Sequence, residues 1–301
     1  MKATITSIPA EGIAEKSWFG VFSDLIKARL TVLVLLTTLV GFYIGTREST
    51  DYLLMFHALL GTALVACGAS ALNQLWEREH DAKMRRTEGR PLPSGRLQPE
   101  TVLIFGGVCS IAGLIYLALN VNLLTSLLGA LTLTTYVFVY TPLKRITWLN
   151  TAIGAIPGAL PPLMGWTAAR NDLSVEGWAL FAILFFWQIP HFLAIAWLYR
   201  EEYAKAGFVM LPAVDPAGER TGRQAVSHTM ALLLVSLVPV ALRLSGPIYF
   251  AGALVCGLLF LWFAIQFSRS LSTRSARQMF LLSIIYLPLL LGLMVIDKIK
   301  Y

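Results

Sequence analysis

Long apolar segments alternate with short polar ones along almost the whole chain. Each apolar segment holds about 20 residues, the length at which an α-helix crosses the hydrocarbon core of a bilayer. We therefore expect an all-α integral membrane protein whose helices, about nine in number, form a bundle around a central cavity that opens to the cytoplasmic side. The predicted membrane-spanning segments are residues 26–46, 53–75, 101–119, 121–140, 148–168, 177–199, 226–243, 248–268 and 279–296.

The composition excludes a soluble protein. Hydrophobic residues make up 56% of the 301 positions and charged residues 14%, and the mean hydropathy is +0.68. The net charge of +7 is no argument for nucleic-acid binding, because the cations lie between apolar segments, where membrane topology explains them. Cys67, Cys109 and Cys256 lie singly in apolar segments and predict neither a disulfide framework nor a metal site.

The distribution of lysine and arginine predicts the orientation. With a cytoplasmic N-terminus, most of the 24 lysine and arginine residues lie on the cytoplasmic side, as the positive-inside rule requires. The C-terminus is then expected on the opposite face. The N-terminal sequence has neither a signal-peptide pattern nor that of an organelle import leader, which favours a bacterial cytoplasmic membrane. We expect residues 1–301 to form a single domain, with residues 1–24 as a cytoplasmic N-terminal tail.

Asn73, Glu77 and Asp81 carry the clearest candidate chemistry. They are spaced four residues apart at the polar end of the second predicted helix. A helix places side chains at this spacing on one face, about 6 Å apart along its axis. Oxygen ligands in that arrangement suit a hard cation such as Mg²⁺ that also binds a diphosphate. From the residues alone, an ordinary solvated helix end is the alternative.

Basic residues crowd the polar segments near this face. Arginine side chains match phosphate oxygens in a bidentate manner, although the positive-inside bias also explains each cation singly. The candidates for phosphate binding are Arg85, Arg86, Arg90, Lys144 and Arg145.

Three further features each allow more than one interpretation. Glu201 and Glu202 are candidates for a second metal ion, or they balance neighbouring cations. His191, inside an apolar helix, is a metal or haem ligand, a general base, or a hydrogen-bonded core residue. The glycine- and proline-rich run 150–166 predicts close packing against other helices. Its helix either lines a ligand cavity or is only a kinked packing helix.

These segments resemble the UbiA-type intramembrane prenyltransferases, and most closely their protohaem IX farnesyltransferase branch. The run NQLWEREHDAKMRRTEGRPLPSG is similar to the branch signature N-x-x-x-(D/E)-x-x-x-D-x-x-M-x-R-T-x-x-R-P. The runs YTPLKRITWLNTAIGAIPGALPPLMGW and FFWQIPHFLAIAWLYREEYAKAGFVMLP resemble its second and third blocks. The resemblance extends from about Lys27 to Pro212. Glu77 and Glu202 stand where aspartate is more usual, and Ala28 stands where proline is frequent.

The resemblance implies transfer of a farnesyl group from farnesyl diphosphate to the 2-vinyl group of haem B, with addition of water, to give haem O and diphosphate. It implies catalytic roles for Asn73, Glu77, Asp81 and Glu202. It also implies Mg²⁺ as cofactor, held by these four residues together with Glu201. The residues implied in substrate binding are Arg85, Arg86, Arg90, Lys144, Arg145 and Arg200 for diphosphate, and His191 for haem.

The resemblance also implies the surroundings in which the protein works. The lipid bilayer is the expected partner, with haem A synthase or terminal-oxidase assembly proteins as candidate protein partners and no nucleic acid. Two alternatives stay open. In the first, a prenyltransferase of the same fold transfers its prenyl group to an aromatic or quinone-precursor acceptor. In the second, the protein is a membrane haem carrier without catalysis, and the acidic face would then have no role.

Overall fold

The computed structural model of the protein describes residues 17–47 and 49–299. Within these ranges the chain is helical with no β-strand, apart from one isolated bridge between Ser245 and Lys298, so the predicted all-α class is confirmed. A π-helical turn, Thr135–Tyr140, continues the fifth helix. The helices are α1 Trp18–Leu25, α2 Ala28–Gly45, α3 Tyr52–Asp81, α4 Pro99–Asn120, α5 Leu123–Thr134, α6 Thr141–Leu143, α7 Asn150–Arg170, α8 Val175–Leu198, α9 Arg200–Lys205, α10 Leu211–Val214, α11 Glu219–Ala241, α12 Pro247–Ser270 and α13 Thr273–Ile296.

Local sequence signals set where several of these helices begin. Asp51 and Asn122 cap α3 and α5, because their side chains accept hydrogen bonds from the backbone N–H of Leu54 and Thr125. Pro99 begins α4 at a position where the missing backbone N–H would have no helical partner. These caps fix the polar connections between apolar segments and so determine which residues stand at the ends of the bundle.

Eight helical segments in the described ranges are long and apolar enough to cross a membrane. They correspond to all the predicted spans except 148–168. That span coincides with α7, whose 21 residues reach about 31 Å, but whose prolines, glycines and polar residues lower its hydropathy. Most of the α7 side chains are buried by protein, so this helix does not need an apolar surface towards lipid. The ninth crossing stays a prediction.

α7 is held at the centre of the bundle by close contact with α2. A methyl group at Gly165 would collide with the carbonyl oxygen of Thr38, and one at Gly41 would collide with that of Pro162. The glycines therefore let the two backbones meet, as predicted for the 150–166 run. At the start of α7, Asn150 donates a hydrogen bond of 2.8 Å to the carbonyl oxygen of Val209 in a later polar loop.

The two ends of α2 identify the two ends of the bundle. Lys27 precedes its first residue, and Thr46 follows its last, about 27 Å away for 18 residues. Near the end of the chain, the Lys298 ammonium group donates hydrogen bonds of 2.6 Å to the carbonyl oxygens of Tyr43 and Thr46. The C-terminal segment therefore lies at the opposite end of the bundle from Lys27.

Part of the expected N-terminal tail is helical. Residues 18–25 form α1, with Val21 and Leu25 buried. Gln74 of α3 donates hydrogen bonds of 2.9 and 2.8 Å to the carbonyl oxygens of Asp24 and Leu25, which joins α1 to α3. Residues 1–16 of the expected tail lie outside the described ranges.

Candidate active site

Asn73, Glu77 and Asp81 lie on one face of the last turns of α3, and all three are buried. Their exposed fractions are 0%, 4% and 2%. A solvated helix end would expose these side chains, so that alternative is wrong. Buried carboxylates need a partner for their charge, and the partners define the rest of the site.

Each of the three side chains accepts a hydrogen bond from a different cation. The Lys27 ammonium group is 2.6 Å from Asn73 Oδ1, and the Lys144 ammonium group is 2.6 Å from Glu77 Oε1. The guanidinium group of Arg90 is 2.6 Å from Asp81 Oδ2. Three cations, contributed by three separate segments, therefore neutralise this oxygen-rich face.

Asn73 has a fixed orientation at the inner end of this face. Its amide nitrogen donates a hydrogen bond of 2.9 Å to the Thr141 hydroxyl, which in turn donates to the carbonyl oxygen of Tyr136. The Asn73 amide oxygen must then point towards Lys27, as observed. The inner end thus presents an oxygen atom whose direction is set by two other segments.

Lys27 was not predicted as a site residue. It stands between α1 and α2 in the left-handed backbone conformation (φ 49°, ψ 54°), which is uncommon for a residue other than glycine. Burial of its ammonium group, with a further contribution from nearby Arg90, lowers the pKa of Lys27 to about 7. A left-handed backbone conformation and a buried ammonium group both cost free energy, and residues that bear such costs are typical of functional positions.

The pKa of Lys144 moves the other way. Burial opposes its charge, but the Glu77 carboxylate, with smaller contributions from Tyr140 and Tyr136, outweighs burial and raises the pKa above its usual value. Lys144 therefore stays a cation at all physiological pH values, unlike Lys27.

The π-helical turn places two tyrosines beside the lysines. The rings of Tyr136 and Tyr140 stack with centroids 5.7 Å apart, and Lys144 lies 4.5 Å from the centroid of Tyr140. The Lys27 ammonium group is 3.2 Å from the Tyr136 hydroxyl. Gly154 of α7 makes room for the Tyr140 ring, which a methyl group at that position would meet. π-turns of this kind frequently mark functional sites.

A small cavity of about 70 Å³ is lined by six of the residues described above, namely Lys27, Glu77, Asp81, Arg90, Tyr140 and Lys144. Its remaining wall is formed by Met84, Arg86, Tyr203, Phe208 and Met210. The lining therefore combines a strongly ionic part with a part that, apart from Arg86, is apolar or aromatic.

The polar segments 73–100, 141–147 and 200–225 meet at this cavity. Arg86 of the first segment donates a hydrogen bond of 3.1 Å to the Tyr203 hydroxyl of the third. Val209 of the third donates through its backbone N–H to the carbonyl oxygen of Lys144 in the second, at 2.7 Å. Contacts between backbone and side chain thus hold the three segments over one end of the bundle.

Several candidate residues lie outside the cavity lining. Arg85 and Glu201 are exposed. Arg145 is also exposed and lines a separate depression that includes Trp76 and His80. The Arg200 guanidinium donates to the carbonyl oxygen of Trp197 at 2.9 Å and lies over its ring.

Glu202 shows a different feature. It is next to Tyr203 in the chain, and its Oε2 atom is buried with no hydrogen-bond partner among the described residues. An unpartnered buried carboxylate oxygen is costly unless a cation joins it. The part of the chain described here contains no cluster of three or more histidine, cysteine, aspartate or glutamate side chains able to hold a metal ion by themselves.

His191 lies in α8 at the contact with α13. Its Nδ1 atom is 2.7 Å from the Ser283 hydroxyl, and its ring stacks on Trp187 at 4.8 Å. It is only partly buried, and it does not line the cavity at the acidic face.

Similarity to solved structures supports this architecture. A digeranylgeranylglyceryl phosphate synthase structure superposes with a TM-score of 0.79 at 17% identity, covering 93% of this chain and 98% of that one. A UbiA homologue from Archaeoglobus fulgidus, bound to DMAPP and Mg²⁺, gives a TM-score of 0.63 at 15% identity, covering 91% and 99%. At these identities the likeness shows a shared fold.

Sequence similarity is much higher to two bacterial proteins named protoheme IX farnesyltransferase. The one from Solibacter usitatus is 48% identical over 286 residues, which cover 92% of this chain and 98% of the relative. The one from Koribacter versatilis is 45% identical over 302 residues, with 97% of both chains covered. The model of the UbiA prenyltransferase family matches residues 34–286. The chain therefore belongs to the UbiA prenyltransferase family.

Proposed function

We propose that the protein transfers a farnesyl group from farnesyl diphosphate to the 2-vinyl group of haem B, with addition of water, to give haem O and diphosphate. The observation that carries the proposal is the buried Asn73–Glu77–Asp81 face with its three cations, in a chain 48% identical to a protoheme IX farnesyltransferase. A product of this kind serves haem-copper oxidases, so haem A synthase or terminal-oxidase assembly proteins are the proposed partners.

The residues present fit Mg²⁺. Asn73, Glu77 and Asp81 supply oxygen atoms on one buried face, and each oxygen already receives a cationic group. Glu202, next in the chain to the cavity-lining Tyr203, has a buried and unpartnered Oε2 that we propose as a further oxygen ligand, whereas Glu201 is exposed. Bound there, Mg²⁺ would supply a Lewis acid for the leaving diphosphate.

The cations of the site have a second role towards substrate. Lys27, Lys144 and Arg90 contact the same oxygen atoms that would hold the metal, so they would be available to bind a diphosphate there. Arg86 lines the same cavity and adds a bidentate donor. Together they stabilise the charge that grows on diphosphate as its bond to the farnesyl carbon breaks. Arg85, Arg145 and Arg200, also predicted for diphosphate, do not line this cavity.

The aromatic wall suits the farnesyl end. When the carbon–oxygen bond to diphosphate breaks, C1 of the farnesyl group carries allylic cation character. The Tyr140 ring, which lines the cavity and stacks with Tyr136, offers a π system to that charge. Phe208 and Met84, both buried, keep water from the cation until the vinyl carbon of haem has formed the new carbon–carbon bond. Water then adds to the resulting cation and releases a proton.

One assay tests the acceptor. Membranes that contain the protein are incubated with farnesyl diphosphate and either haem B or an aromatic prenyl acceptor, and the products are analysed by mass spectrometry. Haem that gains one farnesyl group and one water supports the proposal. A farnesylated aromatic product without a haem product would reassign the acceptor, and haem binding without either product would favour the carrier.

We also propose a bacterial cytoplasmic membrane location with the active site on the cytoplasmic side. The clustering of cations around the cavity supports this orientation. The position of Lys298 at the opposite end of the bundle from Lys27 supports an odd number of crossings, with α7 as the ninth. The interlocked polar segments support one domain over the whole chain.

A further inference from the structure

The depression lined by Arg145 lies outside the active-site cavity. It measures about 480 Å³, and its wall includes Trp76, Arg78 and Glu79 near the end of α3 and Leu103 near the start of α4. None of these residues lines the active-site cavity. Three segments therefore build a second concave surface at the same end of the bundle, in the size range of small-molecule sites. We call it the Arg145 depression.

The Arg145 depression carries an excess of positive charge. The Arg145 guanidinium group has no hydrogen-bond or ion-pair partner among residues 17–47 and 49–299. The Arg78 guanidinium group donates to the carbonyl oxygen of Leu75 at 3.2 Å and lies 3.6 Å from the Glu79 carboxylate. Because the Glu79 side chain is 75% exposed, water weakens that ion pair. Two guanidinium groups from different segments are therefore available to bind phosphate oxygens.

The same depression has an apolar part that continues onto the lipid-facing surface of the bundle. Trp76 and Leu103 are 47% and 54% exposed. Tryptophan favours the boundary between the head groups and the hydrocarbon of a bilayer. Leu103 adjoins the outer surface of α4, a helix apolar enough to span a membrane, whose exposed side chains include Ile104, Val108 and Ile111. A soluble phosphate would contact only the arginines, whereas a phospholipid would contact the arginines and the apolar part.

We propose that the Arg145 depression binds a phospholipid whose head group has a net negative charge. Its phosphate contacts Arg78 and Arg145, and the start of its acyl chains packs on Trp76 and Leu103. Basic pockets between membrane helices at the cytoplasmic face bind anionic lipids in this way. The site is separate from the catalytic cavity, so this inference goes beyond the proposed reaction. It also gives a role to Arg145, which the sequence predicts for diphosphate but which the fold directs elsewhere.

The lipid site and the active site share two segments of the chain. Glu77 and Lys144 are joined by a hydrogen bond of 2.6 Å and line the active-site cavity. The residue after each of them, Arg78 and Arg145 respectively, lines the depression instead. A phosphate held by both arginines would therefore join α3 to the segment after α6 a second time, from the outside. Bound lipid should consequently stabilise the protein against unfolding.

The test uses the full chain, purified in detergent and freed of lipid. Phosphatidylglycerol, which is anionic, and phosphatidylcholine, which is zwitterionic, are added with identical acyl chains, and native mass spectrometry measures the affinity for each. The variants are Arg78→Gln, Arg145→Gln and the double variant, since glutamine removes the charge but stays polar. Arg277→Gln is the matched control, because Arg277 is an exposed arginine near the start of α13, away from Lys298, and lines neither cavity.

The wild type and Arg277→Gln should bind phosphatidylglycerol more tightly than phosphatidylcholine. Each single variant in the depression should lower the affinity for phosphatidylglycerol about 5-fold, and the double variant about 30-fold, with little change for phosphatidylcholine. Phosphatidylglycerol should raise the unfolding temperature of the wild type more than that of the double variant. Equal affinity of the wild type for the two lipids overturns the proposal, and so does a double variant that binds phosphatidylglycerol as tightly as Arg277→Gln.

Two further measurements use the wild type alone. Inorganic phosphate is added to the complex with phosphatidylglycerol, and it should not displace the lipid; displacement at equal concentration would show an anion site without lipid recognition. A phosphatidylglycerol analogue with a photoreactive diazirine in its acyl chain should label peptides that contain Trp76 or Leu103, and labelling confined to other helices overturns the location. These measurements need neither haem nor farnesyl diphosphate, so their outcome is independent of the test of the proposed function.

Discussion

Lys144 donates a hydrogen bond of 2.6 Å from its ammonium group to Glu77 Oε1, and the two side chains keep only 16% and 5% of their surface exposed. The pair joins α3 to the segment after α6 at the centre of the candidate site. Removing one member of a buried ion pair leaves the other charge without compensation, which costs about 3–5 kcal/mol.

The first prediction uses this pair. Lys144→Met should lower the unfolding temperature markedly and abolish farnesyl transfer, because Glu77 is left buried and charged. The double variant Lys144→Met/Glu77→Gln should recover most of the stability, since no unpaired charge remains, but none of the activity. Thermal unfolding in nanodiscs and product analysis measure the two effects. Recovery of activity in the double variant would show that neither charge acts in catalysis.

The second prediction concerns Asp81. Asp81→Asn keeps the shape of the side chain and a hydrogen-bond acceptor for Arg90, but it removes a charged oxygen ligand. Turnover should fall about 100-fold or more, as expected when several kcal/mol of charge stabilisation is lost. Haem binding, followed by its absorption spectrum, should stay close to wild type. Glu79→Gln is the control, since Glu79 is exposed on the same helix and should retain full activity. Wild-type turnover in Asp81→Asn would exclude a metal role for that carboxylate.

The third prediction is a pH dependence of stability that comes from Lys27. Its pKa falls from 10.5 to about 7 in the folded protein. Below pH 7 the ammonium group is charged in both folded and unfolded states, and the folded state bears the cost of burying it. Between about pH 7 and pH 10.5 the unfolded chain binds more protons than the folded one, so stability from this group rises with pH across that window.

Lys27→Met should flatten this rise. The measurement is the unfolding temperature of metal-free protein from pH 6.5 to 9, for wild type and variant in the same buffers. Lys298→Met provides a comparison, because Lys298 lies at the other end of the bundle, where its ammonium group binds the carbonyl oxygens of Tyr43 and Thr46. An equally steep rise in Lys27→Met would show that another group titrates in that range.

Some residues of the candidate site could be predicted from the sequence, and others could not. The Asn73–Glu77–Asp81 face follows from helical periodicity, which is local, and so the side chains come together as expected. Lys27 was missed because its contact with Asn73 spans 46 positions and depends on a left-handed residue between two helices. Arg145 was expected beside Lys144, but adjacent residues in a helical turn point in different directions, and Arg145 lines another surface.

Hydropathy identifies lipid-facing helices readily, but it identifies the largely buried helix α7 less well. α7 carries three prolines inside its length and is largely buried, so its apolar signal is weak even though its backbone meets that of α2 closely. The contact between His191 and Ser283 was also not predicted, because it joins positions 92 residues apart. Contacts between distant segments are set by packing, which a single sequence does not display.

The last prediction tests the packing of α7 on α2. Gly165→Ala places a methyl group against the carbonyl oxygen of Thr38 and the backbone nitrogen of Phe42, neither of which is the end of a flexible side chain. The helices must separate, and overpacking of this kind costs about 1–3 kcal/mol. Gly107→Ala is the matched control, because a methyl group at this helical glycine meets no atom within 4 Å and should leave stability unchanged or slightly improved. Thermal unfolding of both variants measures the difference.

Equal unfolding temperatures for Gly165→Ala and the wild type would mean that the contact between α2 and α7 is looser than observed. A lower temperature together with reduced turnover would show that the α2–α7 contact also holds Lys27 and Tyr140 in place, since each is linked to one of these helices.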